Sequence, residues 1–185
     1  MLILKSASPR RKQVFENLKL QFQVEPSHID ENTRDKEIPL DYLRRVTIAK
    51  LDTEKSNLEN VYVSSDTIVV LDNRILAKPK DFAEGMKILS FLSGKIHSVY
   101  SGLAIWKAGQ VFYDFDETKV EFKVLGELEI RKYLEEAKPY DKAGAYGIQD
   151  AGTPVSNYIG SYTNVLGFPI RKFYQFFRVW EEFLS

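Results

Sequence analysis

The chain has 185 residues, enough to bury a sizeable core, and its 44% hydrophobic and 28% charged residues are the composition of an ordinary folded domain. Lys plus Arg equal Asp plus Glu at 26 each, so no bulk positive field marks a nucleic-acid or anionic-membrane partner. The absence of cysteine excludes disulfides, thiolate catalysis and a Cys-ligated zinc site. Met1 to Lys5 reaches polar sequence too soon for a signal peptide and no apolar run approaches membrane-spanning length, so the expected location is cytoplasmic.

In chain order, the short apolar run Met1 to Leu4 predicts a buried strand that stops at Lys5. In Ser6-Ala7-Ser8-Pro9-Arg10-Arg11, Ser8 can cap a helix with Pro9 at its first position, and Val14, Phe15 and Leu18 supply the apolar face. A helix N-terminus with free N–H groups and two arginines beside it describes an anion site; solvated arginines on a capped helix are the alternative. Phe22 to Val24 alternates like a strand, and Glu31 follows in a polar connection, paired with Asp30. Pro39 opens a helix predicted to run through about Lys55, with Tyr42, Leu43, Val46, Ala49 and Thr53 inward. Lys50 lies at the edge of that face, so its stem can pack while its ammonium reaches a cleft.

Val61 to Leu71 is the strongest strand signal, rich in β-branched residues and closed by the turn pair Asp72-Asn73 before Ile75-Leu76. Asp66 is out of place there, because an ionised carboxylate in an apolar strand is costly unless paired, metal-bound or at a pocket mouth. Lys78-Pro79-Lys80 holds two cations around a rigid residue, which suits phosphate as well as a solvated loop. A helix from about Phe82 to Leu92 is expected to bury Met86, Leu89 and Leu92 and to stop at Gly94. Ser98 to Trp106 and Val111 to Phe115 read as a hairpin turned at Ala108-Gly109, and Glu117 to Val124 as another extended segment. The helix Glu127 to Ala137 is expected to turn Leu128, Ile130 or Arg131, and Leu134 inward. Next comes Lys142-Ala143-Gly144-Ala145-Tyr146-Gly147-Ile148-Gln149, a glycine-containing loop able to carry polar side chains over a ligand. Val155 to Ile159 is a last strand, and after Gly167-Phe168-Pro169 a terminal helix places Ile170, Phe173, Phe177, Trp180 and Leu184 at helical spacing. Strands alternating with helices, with hairpins between the crossovers, predict an α/β fold with a mixed sheet.

The residues set apart by chemistry are Arg10, Arg11, Glu31, Lys50, Asp66, Lys78, Lys80, Lys142 and Gln149. Gathered in one cleft they would suit a polyphosphate: the cations hold its oxygens, while the carboxylates bind a divalent metal or orient the attacking water. No covalent nucleophile is required. A phosphate-binding Gly-x-x-x-x-Gly-Lys-Ser/Thr and a dinucleotide glycine fingerprint are both missing. His28 and His97 are too few for a histidine metal cluster, and Ser6 and Ser8 have no predictable histidine partner.

The ordered blocks resemble the Maf family of nucleoside triphosphate pyrophosphatases, historically called septum formation inhibitors. They run from Ser6-Ala7-Ser8-Pro9-Arg10-Arg11 through Ile29-Asp30-Glu31, Ser65-Asp66-Thr67-Ile68-Val69-Val70, Leu76 to Asp81 and Leu92 to His97, to Asp141 to Gln149 and Tyr162 to Pro169. The resemblance spans nearly the whole chain. It implies one domain over residues 1–185 with a strongly bent mixed sheet between two lobes, an ITPase-like fold, with the substrate in the central cleft. It implies hydrolysis between the α- and β-phosphates of a nucleotide, giving a monophosphate and pyrophosphate with Mg²⁺ or Mn²⁺. Members are often homodimers. Carried over block by block, Ser8, Arg10 and Arg11 would grip phosphate, and Lys142 would join them in binding substrate. Glu31 and Asp66 would hold metal and water, with Asp66 as general base, and Lys50, Lys78 and Gln149 would position the triphosphate and stabilise developing charge.

The block from Lys142 to Gln149 resembles the branch that hydrolyses dTTP and UTP, whose members also accept some modified pyrimidine nucleotides. Rival readings are the branch acting on 7-methyl-GTP and a non-catalytic nucleotide-binding regulator of cell division. The chain departs from the usual pattern at Ser64-Ser65, where Gly-Ala is common, and at Leu51, Ile96 and Asp150-Ala151. None of these removes a proposed catalytic group.

Overall fold

The computed structural model describes residues 1–53 and 56–184. Its strands are β1 (Leu2–Leu4), β2 (Phe22–Val24), β3 (Val61–Leu71), β4 (Arg74–Leu76), β5 (Ile96–Lys107), β6 (Gln110–Phe122) and β7 (Val155–Ile159). They form one sheet in the order β2-β1-β3-β5-β6-β7, with β4 on β3. The sheet is mixed, since β1 runs parallel to β2 and β3 while β3–β4 and β6–β7 are antiparallel. Helices α1 (Pro9–Asn17), α2 (Pro39–Ala49), α3 (Phe82–Leu92), α4 (Glu127–Ala137), α5 (Tyr162–Leu166), α6 (Ile170–Gln175) and α7 (Phe177–Trp180) complete the α/β architecture. Among the described residues no helix is long and apolar enough to cross a membrane.

The chain divides into two compact units. The first comprises Met1–Asp66, Ser101–Asp116 and the C-terminal segment from Gly167. Its core joins Leu2 and Leu4 of β1, Phe15 of α1, Val63 of β3 and Ile105 of β5 to Phe168, Phe173 and Trp180. The predicted terminal helix is broken: α6 ends at Gln175, α7 at Trp180, and a 3₁₀ turn follows over Glu181–Phe183. The Trp180 ring stacks 4.1 Å from Phe173, and its Nε1 donates to the Phe173 carbonyl at 2.8 Å. That aromatic packing overrides regular helical spacing and leaves Leu184 exposed. Helix α2 likewise stops short of the expected Lys55, because Asp52 takes a left-handed conformation (φ 49°); Glu54 and Lys55 lie outside the described residues. Thr47 rather than Ala49 or Thr53 turns inward.

The second unit comprises Thr67–Tyr100 and Glu117–Leu166. Leu89 and Leu92 of α3 pack with Ile130, Tyr133 and Leu134 of α4 against Val69, Val99, Val120 and Phe122 of the sheet. Asp81 caps α3, accepting from the Glu84 N–H at 2.8 Å. Two expectations change. Leu128 is 80% exposed while Tyr133 is buried, so the apolar face of α4 is rotated from the predicted one. The segments Val111 to Phe115 and Glu117 to Val124 belong to one strand, β6, ending at Phe122. A buried aromatic group lies beneath the loop that follows α4: His97, Phe122 and Tyr146 meet edge to face, and His97 Nε2 is 2.8 Å from the Tyr146 hydroxyl.

Burial pushes the His97 imidazole down from 6.5 to about 4, and its Nδ1 has no hydrogen-bond partner. Between those values the unfolded chain binds more protons than the folded one. The contribution of His97 to stability should therefore be constant above pH 6.5 and fall as pH drops from about 6.5 to about 4, by on the order of 3 kcal/mol at about 1.4 kcal/mol per pH unit. Urea unfolding across that range should show this slope in the wild type and a shallower one in His97→Gln; equal slopes would contradict it.

Candidate active site

In the first unit, β1 delivers the chain to the start of α1. Ser8 occupies the capping position with extended backbone, but its side chain accepts no hydrogen bond from the helix, contrary to the expected cap; its own N–H donates to Ser6 Oγ at 3.2 Å. The first turn of α1 thus lacks a side-chain cap, and Arg10 and Arg11 stand in it. Arg11 is fixed from two sides, its Nε donating to the Gly167 carbonyl at 2.8 Å and its Nη1 to Ser6 Oγ at 3.2 Å. Burial lowers the Arg11 pKa from its ordinary value, opposed by the negative charges of Asp66 and Glu31 and reinforced by Arg10. Arg11 thus feels the charge of the other three groups.

Lys50, at the C-terminal cap of α2, sits between the acids. Its Nζ lies 2.5 Å from Asp66 Oδ1 and 3.1 Å from Glu31 Oε1. Lys50 and Asp66 are 9% and 7% exposed, while the Glu31 side chain is substantially exposed. Each member is held by its own element. Ser64 Oγ donates to the Thr47 carbonyl at 2.6 Å, sewing β3 to α2 beside Asp66. Tyr42 donates its hydroxyl to the Glu31 carbonyl at 2.9 Å, and Arg45 grips Glu37 at 2.6 and 2.7 Å and the Asn32 carbonyl at 2.9 Å. Burial, with Asp66 and Glu31 next in effect, pushes the Tyr42 phenol up to about 12, so it remains a donor.

In the second unit, Lys138 turns left-handed (φ 44°) before Pro139 and ends α4. The loop then docks through Gly144, whose N–H donates to the Ala77 carbonyl at 3.2 Å. Its φ of 70°, and the 2.9 Å that would separate a Cβ from Val69 Cγ2, leave room only for glycine. This contact places the loop beside Lys78. Lys78 and Gln149 are exposed, while the Lys142 ammonium lies 3.0 Å from Asp141 and 3.8 Å from Asp150. Lys80 is exposed, its backbone N–H donating to Glu84.

Of the predicted residues, the structure therefore gathers Arg11, Glu31, Lys50 and Asp66 in one unit, with Ser8 and Arg10 on the same helix end. Lys78, Lys142 and Gln149 belong to the other. Sequence reading missed the supporting groups Ser6, Ser65, Tyr42 and Gly167; the Gly167 carbonyl accepts from both Arg11 and Ser65 Oγ. Ser6, Ser65 and Gly167 do lie inside the sequence blocks quoted above.

Among the described residues no group of three or more His, Cys, Asp or Glu side chains could hold a metal by itself. Glu31 and Asp66 nonetheless converge on one cation, Lys50. A carboxylate pair completed by phosphate oxygens and water suits a hard divalent ion, so the donor set fits Mg²⁺ or Mn²⁺.

A mixed-sheet α/β protein with a lysine-bridged acid pair and an uncapped arginine-bearing helix end is of the class equipped for anionic ligands. More particularly, the chain belongs to the Maf-like protein family, whose model matches residues 1–180. It is 46% identical to the dTTP/UTP pyrophosphatase of Leptospira interrogans, over 100% of this chain and 98% of that protein. It is 47% identical to the one from Leptospira borgpetersenii, over 100% and 99%. The dTTP/UTP pyrophosphatase of Thermosipho africanus is 40% identical over 92% of this chain and 88% of its own. Among solved structures, the nucleoside-triphosphatase/dITP/XTP pyrophosphatase of Mycobacterium abscessus aligns at TM-score 0.47 and 11% identity over 96% of this chain and 93% of that one, a likeness too weak to carry weight.

Breaking one side of a buried ion pair strands the other charge. Lys50→Met should cost about 3 kcal/mol of unfolding free energy, and Asp66→Asn added to it should restore most of that loss. Urea unfolding of the four chains of this cycle measures it, and simple additivity of the two losses would contradict the coupling.

Proposed function

We propose that this chain hydrolyses dTTP and UTP to the nucleoside monophosphate and pyrophosphate. The observation that carries the reading is the Glu31–Lys50–Asp66 cluster with Arg11 beside the uncapped start of α1. Full-length relatives named for this activity support it. In this reading Asp66 takes a proton from water as the water oxygen attacks phosphorus. The P–O bond of the α,β-anhydride breaks, and its electrons leave with the pyrophosphate. Lys50, Arg10 and Arg11, with Ser8 and the N–H groups of α1, hold phosphate oxygens and oppose the charge that grows on them. Lys78, Lys142 and Gln149 contact the nucleotide. Glu31 and Asp66 would hold a divalent cation, which supplies further neutralisation of phosphate charge when bound.

Uracil and thymine present the same donor and acceptor edge, so one set of polar groups in the Lys142 to Gln149 loop serves both bases. Product analysis with separate dTTP, UTP, CTP, GTP, ATP and 7-methyl-GTP samples, with and without Mg²⁺ or Mn²⁺, tests the reading. The expected result is metal-dependent monophosphate plus pyrophosphate from dTTP and UTP in preference to the others. Diphosphate plus orthophosphate would move the cleavage site, and preference for 7-methyl-GTP would overturn the base assignment.

A further inference from the structure

We propose that Tyr133 is a positioning residue that sets the geometry of the nucleotide-binding loop through one buried hydroxyl, shared between the two residues that flank Ile148-Gln149. The inference rests on the reading just given, in which that loop contacts the nucleotide. Tyr133 lies on α4 and is 6% exposed. Its hydroxyl accepts the Gly147 N–H at 3.0 Å and donates to Asp150 Oδ2 at 2.7 Å. The chain is thereby tied to a rigid helix on both sides of Gln149, through the Gly147 N–H before it and the Asp150 carboxylate after it, although Gln149 itself is exposed.

Asp150 extends the tie. Its carboxylate lies 3.8 Å from the Lys142 ammonium, so the far end of the loop feels the same clamp. Its N–H donates to the Gly147 carbonyl at 3.2 Å, and Thr153 closes the turn, donating Oγ1 to that carbonyl at 2.9 Å. A Cβ on Gly147 would lie 2.6 Å from Asp150 Oδ1, so glycine is what admits the carboxylate against the backbone. Burial first, and the Asp150 bond second, raise the Tyr133 pKa, which keeps the hydroxyl protonated and donating. Removing it strands a buried N–H and a half-buried carboxylate together, and both must then find new partners by moving. An exposed glutamine on a backbone free to shift is poorly preorganised for a ligand, and the loss falls on binding rather than on chemistry performed elsewhere.

The test compares Tyr133→Phe, Asp150→Ala and Asp150→Asn in the full chain, each checked for cooperative thermal unfolding. Tyr133→Phe and Asp150→Ala should raise KM for dTTP roughly tenfold while kcat stays within about threefold. Asp150→Asn, which retains an acceptor for Tyr133, should keep KM within about threefold of wild type. Amide hydrogen exchange at Gly147 provides a readout independent of turnover, and it should quicken roughly tenfold in Tyr133→Phe and remain slow in Asp150→Asn. An active wild type alongside a Tyr133→Phe chain with unchanged KM and unchanged Gly147 exchange would overturn the clamp and leave the pyrophosphatase reading standing. A fall in kcat with KM unchanged would overturn the positioning role. No turnover of any nucleotide by the wild type would instead overturn the pyrophosphatase reading and, with it, the role of this loop in nucleotide binding.

Discussion

Two carboxylates of opposite exposure, Asp66 in a strand and Glu31 in a polar connection, share one largely buried lysine, and the first unit is arranged so that this can happen. An unpaired carboxylate in β3 would be costly, and an unpaired ammonium at the end of α2 equally so. Helix α2 meets both needs. Its C-terminal end, where the helix dipole favours a cation, presents Lys50. Its Thr47 carbonyl, one turn earlier, accepts from Ser64 and holds β3 at the right height, while its Tyr42 and Arg45 hold the segment that carries Glu31. The same arrangement leaves a carboxylate, a lysine and an arginine close together without a covalent nucleophile, which is what hydrolysis by activated water requires.

The second unit solves a different problem. Its loop after α4 turns its apolar residues inward and leaves Asp141 and Gln149 exposed. Ala145 is buried, Tyr146 packs edge to face on His97 and Phe122, Gly144 hangs on the Ala77 carbonyl, and Gly147 is held by Tyr133. Rigidity comes from the continuous buried run Gly144 to Gly147, while Gln149 two residues later stays exposed.

How much of this was legible depends on how far apart the partners are in sequence. The limits of β3, α3, α4 and β7 followed from β-branched runs and from Pro, Gly and turn residues close by, all local signals. Asp66 stood out because a charge within an apolar strand asks for a partner; that the partner is Lys50 was not readable, since sixteen residues and a fold separate them. The continuity of β6 was hidden by Asp114 and Asp116, which interrupt its alternation. Lys172 and Arg171, 58 and 55 residues away, pair with them and make the interruption tolerable. The face of α4 was misread because both Leu128 and Tyr133 fit helical spacing, and only packing against α3 chooses between them. The tie from Arg11 and Ser65 to the Gly167 carbonyl spans 156 and 102 residues and left no local mark.

The most direct measurement is turnover and nucleotide affinity determined side by side for a folded Asp66→Asn chain. If the lysine-bridged acids are the hydrolytic centre, turnover of dTTP should fall by roughly two orders of magnitude or more while affinity stays within a few fold. Near-normal turnover in the folded variant would contradict that account.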